Sequence, residues 1–172
     1  MYERMANGWR MGRPETVCGN GSTLAHTQNI RKWLPEIIRK YDIARINDAG
    51  AGDLYWISQI HWHGVVTYRA FDLISRDPQV TSLDITRETM PACDAVLCRM
   101  VLNHLDQTRI LMALELFRKS ARYLIATQFD GENLPKRSPQ FTRCDLRLQL
   151  GEPMERCQDG VEPECSLALW RL

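Results

Sequence analysis

Arg45-Ile46-Asn47-Asp48-Ala49-Gly50-Ala51-Gly52-Asp53-Leu54-Tyr55-Trp56 is the stretch whose reading decides the fold. A short alternating run ends on an acidic residue, passes through two glycines one residue apart, and resumes with apolar residues at helical spacing. The pattern predicts a strand over Ile43–Asn47, a tight turn, and a helix from Asp53 to Ile60. Glycines in such a turn let the backbone approach a ligand, and a helix that starts there offers unpaired N–H groups. A glycine pair also serves any tight strand-to-helix turn, so the residues downstream decide between the two uses.

The residues just upstream supply the first covering element. Ile30, Trp33, Leu34, Ile37, Ile38 and Tyr41 recur at three- and four-residue spacing with charged residues opposite, which predicts an amphipathic helix from Thr27. Pro35 interrupts that pattern and predicts a kink or a fresh start near Leu34. Residues Met1 to Thr23, glycine-rich and aperiodic, read as an irregular arm or lid.

Downstream, Val65–Asp72, Val80–Ile85, Asp94–Cys98 and Arg122–Phe129 read as four further strands, and Thr108–Ser120 as a strong helix. The nearly continuous apolar run Ala95-Val96-Leu97-Cys98 suits the middle of a parallel sheet. A polar, proline-bearing loop follows from Asp130 to Thr142. Asp145–Leu150 and Ser166–Leu172 then read as two strands that pair as an antiparallel hairpin at the sheet edge. The implied architecture is α/β: a doubly wound, mostly parallel, Rossmann-like seven-stranded sheet with helices on both faces and a C-terminal antiparallel hairpin. Its 172 residues fit one domain, with 1–26 as the arm and 27–172 as the core.

Composition narrows the partners. The chain is 44% hydrophobic and 25% charged, near the average for globular domains. Its 22 basic and 21 acidic residues give a net charge of +1, which argues against holding a long polyanion by charge. No apolar run is long enough for a membrane span and the start lacks a signal-peptide core, so the expected location is cytoplasmic. The six cysteines form no C-x-x-C pair and read as reduced thiols. His61-Trp62-His63 has no third ligand at suitable spacing, and no metal site is expected.

In a doubly wound sheet, ligands bind outside the carboxyl ends of the strands. Asp48, Asp72, Asp84 and Cys98-Arg99 all fall at or just past predicted strand ends, so they converge on one edge. An acidic residue about 20 positions beyond a glycine turn, as Asp72 is, suits ribose hydroxyls. Carboxylates at strand ends also cap helices or stay solvated, and it is their joint placement that points to a ligand.

These ordered motifs, Asp48-x-Gly50-x-Gly52-Asp53, Asp72, Asp84 and Asp94-Ala95-Val96-Leu97-Cys98-Arg99, resemble those of class I S-adenosylmethionine-dependent methyltransferases. Small bacterial and phage-type members are most similar. They share Gly21-Ser22-Thr23-Leu24, Ile30-Arg31-Lys32-Trp33-Leu34-Pro35, Leu97-Cys98-Arg99 with His104-Leu105, and Arg122-Tyr123-Leu124 with Thr127-Gln128-Phe129. The resemblance runs from Gly19 to Leu172.

The resemblance implies S-adenosylmethionine as cofactor. Gly50 and Gly52 would approach its amino acid part, Asp48 and Asp53 its ammonium, Asp72 its ribose hydroxyls and Asp84 its adenine. Cys98 and Arg99 would line it, and Ser22 and Thr23 would fold over it. Methyl transfer needs an acceptor lone pair in line with the sulfonium, and a base where the acceptor loses a proton. His104, Arg99 and Asp130 are the candidate catalytic or substrate-contacting residues.

The acceptor itself is expected to be a small molecule or an exposed protein group. The fourth strand carries no Asn/Asp-Pro-Pro-aromatic tetrapeptide of the kind that grips base amines. With little beyond the N-terminal arm and the Asp130–Thr142 loop to cover a substrate, the site is expected to be open or completed by a partner chain, and a homo-oligomer is one such expectation. Met100 stands where a carboxylate is expected after Leu-Cys-Arg, which keeps a cofactor-binding module without turnover as the alternative, and nucleic-acid methylation as a third.

Overall fold

A computed structural model describes residues 15–62, 64, 66–130 and 142–172. Its seven strands are β1 (Arg45–Ala49), β2 (Thr67–Asp72), β3 (Val80–Ser82), β4 (Ala95–Cys98), β5 (Tyr123–Phe129), β6 (Glu155–Gln158) and β7 (Cys165–Arg171). They form one sheet in the order β3-β2-β1-β4-β5-β7-β6. The first five strands run parallel, β7 pairs antiparallel with β5, and β6 pairs antiparallel with β7. Strand order reverses between β1 and β4, which is where a doubly wound sheet opens a crevice at its carboxyl edge.

Side-chain alternation along the central strands builds two cores. Val96, Cys98, Leu124, Ala126, Ala168 and Trp170 point to one face and meet Ile110, Ala113, Leu114 and Phe117 of helix α2 (Gln107–Ser120). Ala95, Leu97, Ile125, Leu167 and Leu169 point to the other and meet Ile30, Leu34, Ile37 and Ile38 of helix α1 (Gln28–Lys40). Both faces of the sheet are thus covered, as the apolar β4 run requires. Asp106 caps α2, its side chain accepting from the Arg109 N–H at 2.9 Å.

Three local expectations are corrected. Proline does not break α1: Pro35 lies inside one continuous helix, buried with the apolar face. Lacking an N–H, Pro35 leaves the Arg31 carbonyl without its usual partner one turn on. The stretch from Asp53 to Ile60 is not an α-helix but a run of turns ending in the 3₁₀ turn Ile57–Gln59. Leu54 adopts φ 59°, which no helix tolerates, while Trp56, Ile57 and Ile60 still pack downward at the spacing that imitates a helix.

The first strand of the C-terminal hairpin is Glu155–Gln158, not Asp145–Leu150. In the latter segment Leu146 is fully buried but Leu148 is 76% exposed. Arg147–Leu150 forms a single turn of helix, α3, closed by Gly151 at φ 74°. Asp145 pairs with Arg147 at 2.6 Å, a local contact that favours the turn over an extended strand. That guanidinium holds the Asp145 carboxyl down at about 2.

All six cysteines are free thiols. Among the described residues no helix is long and apolar enough to cross a membrane, and no cluster of His, Cys, Asp and Glu fits a metal ion. His63, the N-terminal fourteen residues and most of the Asp130–Thr142 loop lie outside the described residues.

Candidate functional site

The carboxyl ends of β1, β2 and β4 surround a cavity of about 310 Å³, a size suited to a small molecule. β1 brings Asp48 and the turn Gly50–Asp53, β2 brings Asp72, and β4 brings Arg99, Met100 and Val101. Residues Cys18–Ser22 and Val161 close the cavity from the N-terminal arm and the hairpin turn.

The glycine turn is dictated by conformation and packing together. Gly50 has φ 99°, and a Cβ there would lie 2.1 Å from Val101 Cγ2. Gly52 has φ 64°, and its Cβ would lie 2.6 Å from Cys18 Sγ. Only glycine meets both demands. The N–H groups of Gly50 and Ala51 donate to the Phe71 carbonyl at 2.7 and 3.0 Å, and that of Gly52 donates to Asp72 Oδ2 at 2.9 Å. The turn is therefore fastened to β2, and the helix N-terminus anticipated from the sequence is not part of the site.

Asp48 is buried and its carboxylate accepts from the Tyr68 hydroxyl at 2.5 Å. Burial, reinforced by the nearby Asp72 charge, pushes the Asp48 carboxyl up to about 7 against the lowering effect of that hydrogen bond. Asp72 sits at the end of β2, where its Oδ1 accepts from the Ile74 N–H at 3.2 Å. Asp53 also lines the cavity, but its Oδ2 accepts from Thr16 Oγ1 at 2.7 Å and from the Val17 N–H at 2.9 Å. It straps the arm to the glycine turn. Burial, with Asp53 beside it, pushes the Cys18 thiol up to about 12.

Arg99 is buried at the end of β4. Its Nε and Nη2 donate at 2.8 Å to both carboxylate oxygens of Asp159, and Nη2 also donates to the Gly21 carbonyl at 2.7 Å. The guanidinium lies over the Trp56 ring, 5.2 Å from its centroid. Its charge is spent on Asp159, so among the described lining residues Asp48, Asp53 and Asp72 make the cavity acidic.

Ser22, Asp48, Gly50, Gly52, Asp53, Asp72, Arg99 and His104 thus come together around one cavity, with His104 in a 3₁₀ turn after β4. Four anticipated residues do not reach it. Thr23 is buried, its hydroxyl donating to the Asn20 carbonyl at 2.9 Å and lying 2.7 Å from His26 Nδ1. Cys98 is buried in the core that packs against α2 and does not line the cavity, and burial pushes its thiol up. Asp84 turns back on its own loop, accepting from Thr86 N–H at 2.9 Å and Thr86 Oγ1 at 2.7 Å. The neighbouring Leu83 and Ile85 line the cavity in its place. Asp130 is held at the surface by Arg156 at 2.7 Å and Arg147 at 3.8 Å.

Asp159, Trp56 and Tyr68 were not anticipated at the site. Asp159-Gly160 is a hairpin-turn dipeptide, a signal that would have located the true β6–β7 turn. Nothing local marks Asp159 as the partner of an arginine 60 positions away.

No family model and no curated protein matches the chain by sequence. Solved structures do match by fold. Magnesium protoporphyrin IX methyltransferase from Synechocystis PCC 6803, with S-adenosylmethionine bound, superposes with a TM-score of 0.60 at 17% identity, covering 99% of this chain and 91% of that one. Burkholderia thailandensis 1,6-didemethyltoxoflavin-N1-methyltransferase, with 1,6-didemethyltoxoflavin and S-adenosylhomocysteine bound, gives 0.58 at 16% identity over 82% of this chain and 77% of that one. The methyltransferase domain of bacterial CtHen1 gives 0.58 at 11% identity over 86% of this chain and all of that one. What these likenesses establish is architecture: the chain has the Rossmann-like fold of S-adenosylmethionine-dependent methyltransferases.

Proposed function

We propose that the chain is an S-adenosylmethionine-dependent methyltransferase acting on a small molecule or an exposed protein group. The observation that carries the reading is the convergence of Asp48, Asp72 and the glycine turn on one acidic cavity at the β1/β4 switch point. An acidic lining in which Arg99, the one arginine among the described lining residues, is neutralised suits a ligand that carries a sulfonium and an ammonium. The cofactor, when bound, supplies the electrophilic methyl group.

In this reading Asp72 accepts hydrogen bonds from the ribose hydroxyls while bracing Gly52. Asp48 faces the ammonium. Asp53 serves through the arm it straps. Leu83 and Ile85 supply the apolar surface for adenine, with Asp84 committed to its own turn. His104, the one histidine among the described lining residues, is the candidate to take a proton from the acceptor. The acceptor is held so that its lone pair meets the methyl group in line, and positioning provides much of the rate.

Met100 favours one second reading, a module that binds the cofactor without turnover. It lines the cavity with φ 57°, its N–H donating to Thr127 Oγ1 at 2.7 Å, and offers no carboxylate. Incubating the chain with methyl-labelled S-adenosylmethionine and cell extract, then separating small molecules, protein and nucleic acid, distinguishes them. Label in the small-molecule or protein fraction supports the enzyme. Label in nucleic acid alone overturns the acceptor class, and no label above background favours the module.

A further inference from the structure

Three segments far apart in sequence meet at Arg99. Its fork is filled by Asp159, wholly buried in the turn after β6, and by the carbonyl of Gly21 in the arm. The hairpin turn is braced by its own hydrogen bonds: Gln158 Nε2 donates to the carbonyls of Glu162 and Cys165, both at 2.9 Å. The Gly160 N–H donates to the His26 carbonyl at 3.2 Å, and a Cβ on Gly160 would lie 2.5 Å from that oxygen. The turn therefore seats closely on the arm, and Val161 and Gly21 line the cavity side by side.

Asp53 ties the arm at Thr16 and Val17, ahead of Asn20–Ser22, and Gly160 ties it at His26, beyond it. Asn20–Ser22 is a single 3₁₀ turn, closed by Ser22 N–H to Gly19 O and Thr23 N–H to Asn20 O. It contains no buried residue. A buried ion pair contributes little net stability over apolar side chains of similar volume. What it contributes here is geometry, since a bidentate fork fixes direction as well as distance.

We propose that Asp159 is a positioning residue for the cofactor cavity: acting through Arg99 and the Gly21 carbonyl, it fixes Gly19–Ser22 as one wall of the site. The proposal rests on the cofactor reading above. Arg99 is then a latch rather than a substrate contact.

The test compares the full chain with the double variant R99M/D159L, which removes both buried charges together and so avoids stranding either. Amide hydrogen exchange without ligand reads the wall, and calorimetric titration with S-adenosylhomocysteine reads the site. The double variant should exchange the Ser22 and Thr23 amides at least tenfold faster, with Leu124 and Ala126 in β5 unchanged, and should bind S-adenosylhomocysteine at least tenfold more weakly. Asp159→Asn, the second variant should the first fail to fold, keeps one acceptor for Arg99 and should change both readouts in the same direction by less. A folded variant whose arm amides stay protected, or whose affinity is unchanged, overturns the proposal. Wild-type chain that takes up no S-adenosylhomocysteine overturns the cofactor reading and the proposal with it. Wild-type uptake with unchanged variant affinity overturns the proposal alone.

Discussion

The Tyr68 hydroxyl donates a 2.5 Å hydrogen bond to Asp48 Oδ2, joining adjacent parallel strands directly beneath the candidate cofactor cavity. Tyr68 itself stacks on Trp62, with ring centroids 6.4 Å apart. The contact gives a buried carboxylate one fixed donor and leaves its second oxygen to the cavity.

Burial of this carboxylate makes stability depend on pH in a definite direction, with the Tyr68 hydrogen bond offsetting part of the effect. The Asp48 carboxyl titrates near 7 in the folded chain, raised chiefly by burial, and near 4 when unfolded. Between those values the folded state holds a proton that the unfolded state has lost, so the contribution is fully present below about pH 4 and disappears as pH rises through about 7. Three pH units correspond to on the order of 4 kcal/mol. Denaturant melts of wild type and Asp48→Asn across this window should show wild type losing stability relative to the variant from about pH 4, levelling above about 7. A difference independent of pH would refute the assignment.

Gly50→Ala should destabilise the chain by roughly 1–3 kcal/mol through its backbone conformation alone, and by more through overlap with Val101. A thermal melt should fall by about 5–10 °C. Adding Val101→Ala should recover only the overlap part, since the φ of 99° remains.

Asp72→Ala should weaken S-adenosylmethionine binding by about 10- to 100-fold, the worth of one charged hydrogen bond at 1.5–3 kcal/mol. The carboxylate also accepts from the Gly52 N–H at 2.9 Å, so the variant loosens the glycine turn as well. Asp72→Asn retains an acceptor for Gly52, and titrating both variants separates support of the turn from contact with the ligand.

Single substitutions within the Arg99–Asp159 pair should be costly, and the paired replacement mild. Asp159→Ala leaves the Arg99 guanidinium buried without its carboxylate, a loss of about 3–5 kcal/mol in denaturant melts. R99M/D159L should fall well short of the sum of the two single changes. Additive losses would mean that the two side chains act independently.

Much of the sheet was legible because alternation and apolar continuity are strong signals in central strands. Leu97, Ile125 and their neighbours announce themselves. The edge was harder. Glu155-Arg156-Cys157-Gln158 has half-buried and exposed residues in alternation and no apolar run, whereas Leu146, Leu148 and Leu150 imitate a strand with only Leu146 buried. The Trp56, Ile57, Ile60 spacing imitated a helix over a segment too short to sustain one.

At the site, residues carried by strand ends were legible, since β1 and β2 place Asp48 and Asp72 whatever the loops do. Side-chain direction was not. Cys98 and Arg99 are adjacent in sequence, yet Cys98 packs in the core against α2 while Arg99 reaches Asp159; Asp84 turns to Thr86 two positions on, and Asp130 meets Arg156 from the returning hairpin. Asp159 reaches Arg99 across 60 positions, a meeting produced by the antiparallel return of β7.

The central claim is that the acidic cavity holds S-adenosylmethionine. Isothermal titration of the full chain with S-adenosylmethionine and with S-adenosylhomocysteine tests it most directly. The account predicts saturable one-to-one binding of both, with S-adenosylmethionine uptake below pH 7 releasing a proton that Asp48→Asn does not release. Absence of detectable binding of either ligand would contradict it.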